Sequence, residues 1–300
     1  MPQPVSIGSR ALPRKGVLLL AALSLFWGLN WPVMKVVLTE LPPWTFRTLC
    51  LVLGGLGMLA LTRLNGTRLG LPIEDVRPML CVTLFNMIGW HLCSAYGIMH
   101  MHASRAVIIA FTMPLWAMIL SNFLLQERIT RLRALALALG LTGLTFLIWP
   151  DIRAVGTAPL GTVFMLGAAV SWATGTVLMK FFKWHIPTTL LLGWQMLFGS
   201  IPVLAGAIAL EPMTAVLSLS TKAMVAMIYV ILLPMLFCYW AFFTVVRLYP
   251  ASVAALGTLA IPVIGVFSSR LMLGEAVGFN EITALVLVLI SMVLVMLKGM

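Results

Sequence analysis

No aspartate or glutamate falls in the middle of any apolar run of this sequence, and carboxylates are scarce throughout: eight in 300 residues. Proton pumps and cation exporters place such groups at mid-membrane depth, so their absence weighs against both. No cluster of lysine and arginine lies at mid-depth either, which weighs against sugar phosphates and nucleotide sugars as cargo. Charged residues of both signs make up only 9% of the chain, against about 25% in soluble domains. The surplus of base, a formal +11, forms no stripe interleaved with aromatics, so it does not read as a nucleic-acid surface. The four cysteines, Cys50, Cys81, Cys93 and Cys238, sit inside apolar runs without metal-ligand spacing. They frame neither disulfides nor a metal site. His100 and His102 flank a turn with no carboxylate beside them, so no metal is expected there. No Ser/His or Asp/His pair stands near an interface, so the chain is not read as an enzyme and no cofactor is implied. Alternating apolar and polar residues are missing too, which excludes a membrane β-barrel.

What remains is apolar. Hydrophobic residues are 62% of the chain, more than a core of this size can hide from water. The sequence therefore predicts an all-α integral membrane protein. A spanning helix needs about 20 apolar residues. Ten segments qualify, near 16–39, 43–62, 76–99, 103–125, 131–149, 159–182, 187–209, 222–246, 250–273 and 279–297. The first follows Arg10, Arg14 and Lys15 and continues to Leu38. That is too long for the apolar part of a signal peptide, about 7–15 residues. Of the 19 lysines and arginines, 13 flank one side and 5 the other, with Arg47 inside the second segment. The excess places both termini in the cytoplasm.

The chain also repeats. Trp27, Met34 and Lys35 match Trp172, Met179 and Lys180 at an offset of 145 residues. Ala103, Ser104, Ala106, Pro114, Leu125 and Glu127 match Ala251, Ser252, Ala254, Pro262, Leu273 and Glu275 at an offset of 148. The ordered set divides the chain into a tail, 1–15, a first five-helix repeat, 16–150, and a second, 151–300. Five is odd, so the second unit enters from the opposite side. The expected architecture is ten transmembrane helices as two inverted-topology five-helix repeats around a central cavity, a plan suited to alternating access.

Particular residues carry a family likeness. They are Phe26-Trp27-Gly28-Leu29-Asn30 in the first helix and Pro43 with Arg47 in the second. The fourth has Pro114 and Gln126-Glu127-Arg128-Ile129-Thr130, the fifth has Gly140 and Gly143, and the ninth has Pro262 with Gly274-Glu275. Together they resemble the drug/metabolite transporter superfamily in its EamA-type branch, and the likeness covers essentially the whole chain. The resemblance implies a basket-like bundle of ten helices. It also implies export of aromatic and other neutral amino acids across the bacterial inner membrane, with hydrophobic drugs or other metabolites as the alternative cargo. The partners would be the small solute and the lipid bilayer.

The candidate cavity is aromatic with a few neutral polar groups. Trp27 lies far from either interface and lines the cavity or packs within the bundle; Trp31 shares its face. Asn30 meets the solute or a neighbouring helix. Trp90 and His91 come from the third helix. His91 handles solute or proton, or is a neutral imidazole bonded inside the bundle. Trp172, Tyr239 and Trp240 complete the set. Pro32, Pro114, Gly175 and Pro262 are candidate hinges. Glu127 and Glu275 are candidate helix-end locks, each paired with a neighbouring base. Arg47 has three candidate partners: Glu40, helix carbonyls or a solute carboxylate. Lys35 is an outer-rim residue that snorkels. Such a cavity suits a small, overall neutral, partly apolar solute, and aromatic faces can hold its ammonium group.

Overall fold

The computed structural model describes residues 14–127, 129–153, 160–248 and 258–296. The tail up to residue 13, Arg128, Tyr249, Lys298 and the matched Ala251, Ser252 and Ala254 lie outside them. The described chain is helical, with no strand. Its spans are α1 (Arg14–Leu38), α2 (Pro43–Leu64), α3 (Ile73–Met99), α4 (Ala103–Leu124), α5 (Arg131–Arg153), α6 (Leu160–Phe181), α7 (Thr188–Leu210), α8 (221–248), α9 (Ala260–Leu273) and α10 (Phe279–Met296). The start expected for the ninth span, at 250, lies outside the described residues; every other boundary lies within four residues of the one expected from sequence. The first eight are long and apolar enough to cross a bilayer; α9 and α10 are shorter apolar helices.

Burial fits a hydrocarbon surround. Leu18, Ile201, Ile208, Leu232 and Leu271 stand exposed on the outside, while Arg47, Asn86, His91 and Gln195 are buried within. The interior holds the polar groups that lipid would penalise.

Two spans leave α geometry mid-course. In α3 a π-helical stretch, Leu84–Gly89, separates Ile73–Thr83 from Trp90–Met99. In α8 a π-helical stretch, Ile231–Cys238, separates Thr221–Val230 from Tyr239–Leu248. Two others are interrupted ahead of a proline. α4 consists of Ala103–Ala110 and Met113–Leu124, broken at Phe111 and Thr112 just before Pro114. At the head of α9 a turn at Leu259 separates it from helical Thr258, three residues before Pro262. Proline lacks an N–H and its ring crowds the carbonyl four residues back, so the break falls there. Thr112 fills part of the gap: its hydroxyl donates to the Ile109 carbonyl at 2.6 Å and accepts from Trp116 Nε1 at 3.0 Å. Pro32 differs, because α1 runs unbroken through it.

The helices pack as α2 on α7, α5 on α10, α1 on α8 and α9, and α6 on α3 and α4, with α4 also meeting α9. The α3–α6 seam is the tightest. A Cβ on Gly175 would stand 1.9 Å from Asn86 Oδ1, and one on Gly89 would stand 2.0 Å from Ser171 Oγ. Gly175 is thus a point of close approach, within a helix that remains continuous.

Candidate functional site

Two aromatic pairs stand inside the bundle. Trp27 on α1 meets Tyr239 on α8 edge-to-face, with centroids 5.7 Å apart and planes at 88°. Trp90 on α3 meets Trp172 on α6 at 5.1 Å and 56°. Tyr239 and Trp90 each begin the α-helical piece that follows a π-helical stretch. All four border one apolar core. Trp31 is buried in that core, beside Gly265. Trp240 turns elsewhere: it packs on Phe237 at 5.9 Å, against a smaller cluster of Leu23, Cys238, Ala241 and Val245.

Polar groups without partners lie in the same interior. The His91 ring is 2% exposed, and neither Nδ1 nor Nε2 has a hydrogen-bond partner. The alternative expected for it, an imidazole bonded within the bundle, is not what the structure holds. Asn30 Oδ1, Asn86 Oδ1 and Gln195 Oε1 are also unpartnered. Buried polar atoms usually find a partner because leaving them bare costs free energy. Among the described residues, no three His, Cys, Asp or Glu side chains gather as metal ligands.

One end of the bundle is tied by carboxylates seated on helix N-termini. Glu275, 9% exposed, accepts from Ala103 N at 2.7 Å, Ser104 N at 2.9 Å and Ser104 Oγ at 2.7 Å, and so caps α4. Glu211 accepts from Trp44 N at 2.9 Å, Thr45 N at 2.7 Å and Thr45 Oγ1 at 2.8 Å, and so caps α2. Glu40 takes Ser220 N at 2.7 Å and Ser220 Oγ at 2.6 Å at the start of α8. The Ser220 hydroxyl and amide hold the Glu40 carboxyl below its ordinary value. Each anion meets unpaired N–H groups and the positive end of a helix dipole. Lys35 does the converse, donating to the carbonyls of Ile98, Met99 and Met101 where α3 ends, at 2.6, 3.2 and 2.9 Å.

The opposite end is tied by ion pairs. Glu127 meets Lys180, and Arg133 at 3.6 Å. The hydrogen bond from Lys180 keeps its carboxyl below the ordinary value. His185 donates its backbone N–H to Asp75 at 3.1 Å, and its Nδ1 lies 2.9 Å from the same carboxylate. That side-chain hydrogen bond, with the Asp75 charge behind it, raises the imidazole above its ordinary value.

Several expectations change here. The basic partner expected for a helix-end lock is present at Glu127; Glu275 takes backbone amides instead, because its chain leaves α9 facing the bare start of α4. Lys35 is a helix cap rather than a snorkelling rim residue. Glu40 serves Ser220 and not Arg47, whose partners are the His91 carbonyl, Ser94 and Met34. The caps at Glu40 and Glu211 and the Asp75–His185 contact were not foreseen. Their partners lie 110 to 180 residues away, beyond any local spacing.

The profile of the EamA-like transporter family matches residues 14–149 and 159–297. "Uncharacterized transporter YvbV" of Bacillus subtilis is 29% identical over 299 residues, covering 97% of this chain and 94% of that protein. "Probable amino-acid metabolite efflux pump" of Salmonella typhimurium is 24% identical, covering 93% of each. A crystal structure aligns at a TM-score of 0.67 with 20% identity, covering 95% of this chain and 97% of that one, a likeness of fold alone.

Proposed function

Because the chain belongs to the EamA-like transporter family of the drug/metabolite transporter superfamily, and is a multi-pass membrane transporter, we propose that it exports neutral and aromatic amino acids, or similar small metabolites, by alternating access. The observation that carries this reading is the interior itself. Paired aromatic faces at Trp27–Tyr239 and Trp90–Trp172 stand on the same helices, α1 and α3, that carry the bare polar atoms of Asn30 and His91. The faces suit an apolar side chain and an ammonium group; the bare atoms suit a zwitterion. Two relatives bear the name of an amino-acid metabolite efflux pump.

Alternating access rests on the proposed inverted repeat. Replacing each of α1–α5 by the helix five places on, and the reverse, turns the main packing partners into one another: α1 on α8 and α9 becomes α6 on α3 and α4. The π-helical stretches of α3 and α8 and the breaks before Pro114 and Pro262 exchange in the same way. The family profile matches once in each half. On this plan Pro114 and Pro262 are paired hinges, Pro32 adds curvature, and Glu275 locks the end that is tied here. The surplus of lysine and arginine on one set of flanks supports an inner-membrane protein with both termini in the cytoplasm.

Reconstituted protein should exchange phenylalanine across liposomes. Trp172→Ala and His91→Ala should each slow that exchange while the protein stays folded by thermal unfolding. Normal exchange by both variants sinks the proposed site. Competition only by lipophilic cations, and not by amino acids, would replace the cargo with hydrophobic drugs.

A further inference from the structure

Arg47 is a buried cation without an anion. It sits one turn into α2, 3% exposed. Nε donates to the His91 carbonyl at 2.9 Å; Nη2 donates to Ser94 Oγ at 2.8 Å and approaches Met34 Sδ at 3.4 Å. Its guanidinium carbon lies 4.7 Å from the Phe46 ring centroid, and the Cys50 thiol is its further neighbour. All of these partners are neutral. The carboxylates that tie this end of the bundle, Glu40, Glu211 and Glu275, are engaged at helix N-termini. Among the described residues, no ion pair includes Arg47.

A cation removed from water without a counter-charge is costly, and within a membrane bundle such a group marks a solute pathway. The guanidinium is also held in place. Ser94 Oγ donates to the same His91 carbonyl at 3.1 Å, which fixes the fork from two sides. Beside it on α3 is the His91 ring with both nitrogens bare. On α1, Met34 touches Arg47, and Asn30 lies one turn back on the same face with its oxygen bare. Trp27 is three residues further back and meets Tyr239.

We propose that Arg47 is the docking point for a carboxylate on the transported solute, so that the cargo brings the missing anion. The polarity of binding follows. The carboxylate points to the end closed by Glu275, an ammonium group lies against Asn30 Oδ1 and the Trp27 face, and the side chain extends toward Trp90 and Trp172. This assignment rests on the amino-acid reading above for the ammonium, and on Arg47 alone for the carboxylate.

The test compares phenylalanine, phenylalaninamide and 3-phenylpropionate as competitors of exchange and as stabilisers in thermal unfolding. One charge-assisted hydrogen bond is worth roughly 10- to 100-fold in affinity, so wild-type protein should prefer phenylalanine to its amide by that factor. Arg47→Gln should bring the two near parity, and Arg47→Lys should restore part of the preference. The wild-type ratio stands by itself if Arg47→Gln fails to fold. Equal affinity for phenylalanine and its amide overturns the carboxylate dock while leaving the amino-acid reading intact; so does a folded Arg47→Gln that keeps the preference. Binding of phenylpropionate without phenylalanine supports the dock and overturns the amino-acid reading. Binding of none of the three overturns both.

Discussion

Glu275 and Glu127 occupy matched positions, 148 residues apart, just past the ends of α9 and α4. The backbone before each is the same: Gly274 has φ 68° and Gln126 has φ 56°, both left-handed. The surroundings differ. Glu275 is nearly buried and takes three hydrogen bonds from the first turn of α4. The Glu127 side chain is 30% exposed and faces Lys180, itself 67% exposed. One is a charge-assisted cap in a low-dielectric setting; the other is a solvated ion pair. The same residue after the same turn is therefore a buried cap at one end of the bundle and a solvated ion pair at the other.

Removing Glu275 should break this contrast with the largest effect. Glu275→Ala leaves two amides and a hydroxyl bare and should cost about 2–4 kcal/mol in thermal or denaturant unfolding. It should also raise the labelling rate of the Cys50 thiol, which is fully buried at that end. Wild-type stability and labelling in Glu275→Ala would show that the cap does not hold the end. Gln126→Gly tests the matched turn. Glutamine pays for a left-handed φ that glycine adopts freely, so this change should stabilise by about 0.5–1 kcal/mol, read as a raised Tm; destabilisation would mean the Gln126 side chain matters more than its backbone. Glu127→Ala should cost less than about 1 kcal/mol, shrinking as salt is added, and should leave Cys50 labelling unchanged. A loss as large as that of Glu275→Ala would erase the difference between the two ends.

The smallest effect is a slope with pH. The Asp75 carboxylate raises His185 above its ordinary value of about 6.5. The stability it supplies is complete below the unfolded value and is lost as pH rises through the higher folded one. Thermal unfolding between pH 6 and 8.5 should show stability drifting down in wild type. His185→Gln should remove that component. A wild-type curve that rises across this range, or a variant with the same slope, contradicts the assignment.

The spans were legible because run length and loop charge are local properties. Trp27, Trp90, Trp172 and Tyr239 were legible as aromatics at mid-depth; their pairing was not, because it joins α1 to α8 and α3 to α6. Trp240, neighbour to Tyr239 in sequence, points into a different cluster, since adjacent residues on a helix diverge by about 100°. The helix caps escaped for another reason. Thr45 and Ser104 mark bare helix starts, but nothing near them names Glu211 or Glu275 as the acceptor. Arg47 stood out by its charge, yet only the three-dimensional arrangement shows that Glu40, Glu211 and Glu275 are engaged at helix N-termini.

The π-helical stretch of α3 has a further consequence. A wide turn places one residue more than an α-helix would over the same rise. Everything after Gly89 is therefore set at an angular phase that the first half of α3 alone would not give. Drawing the intact stretch Leu84–Gly89 into α geometry would swing Trp90 and His91 by about 100°, whereas deleting one residue within it would let the helix relax to α geometry with both near their present bearing and the span nearly the same length. The stretch works like an index pin: it adds little to the hold between helices and decides which way the third helix faces.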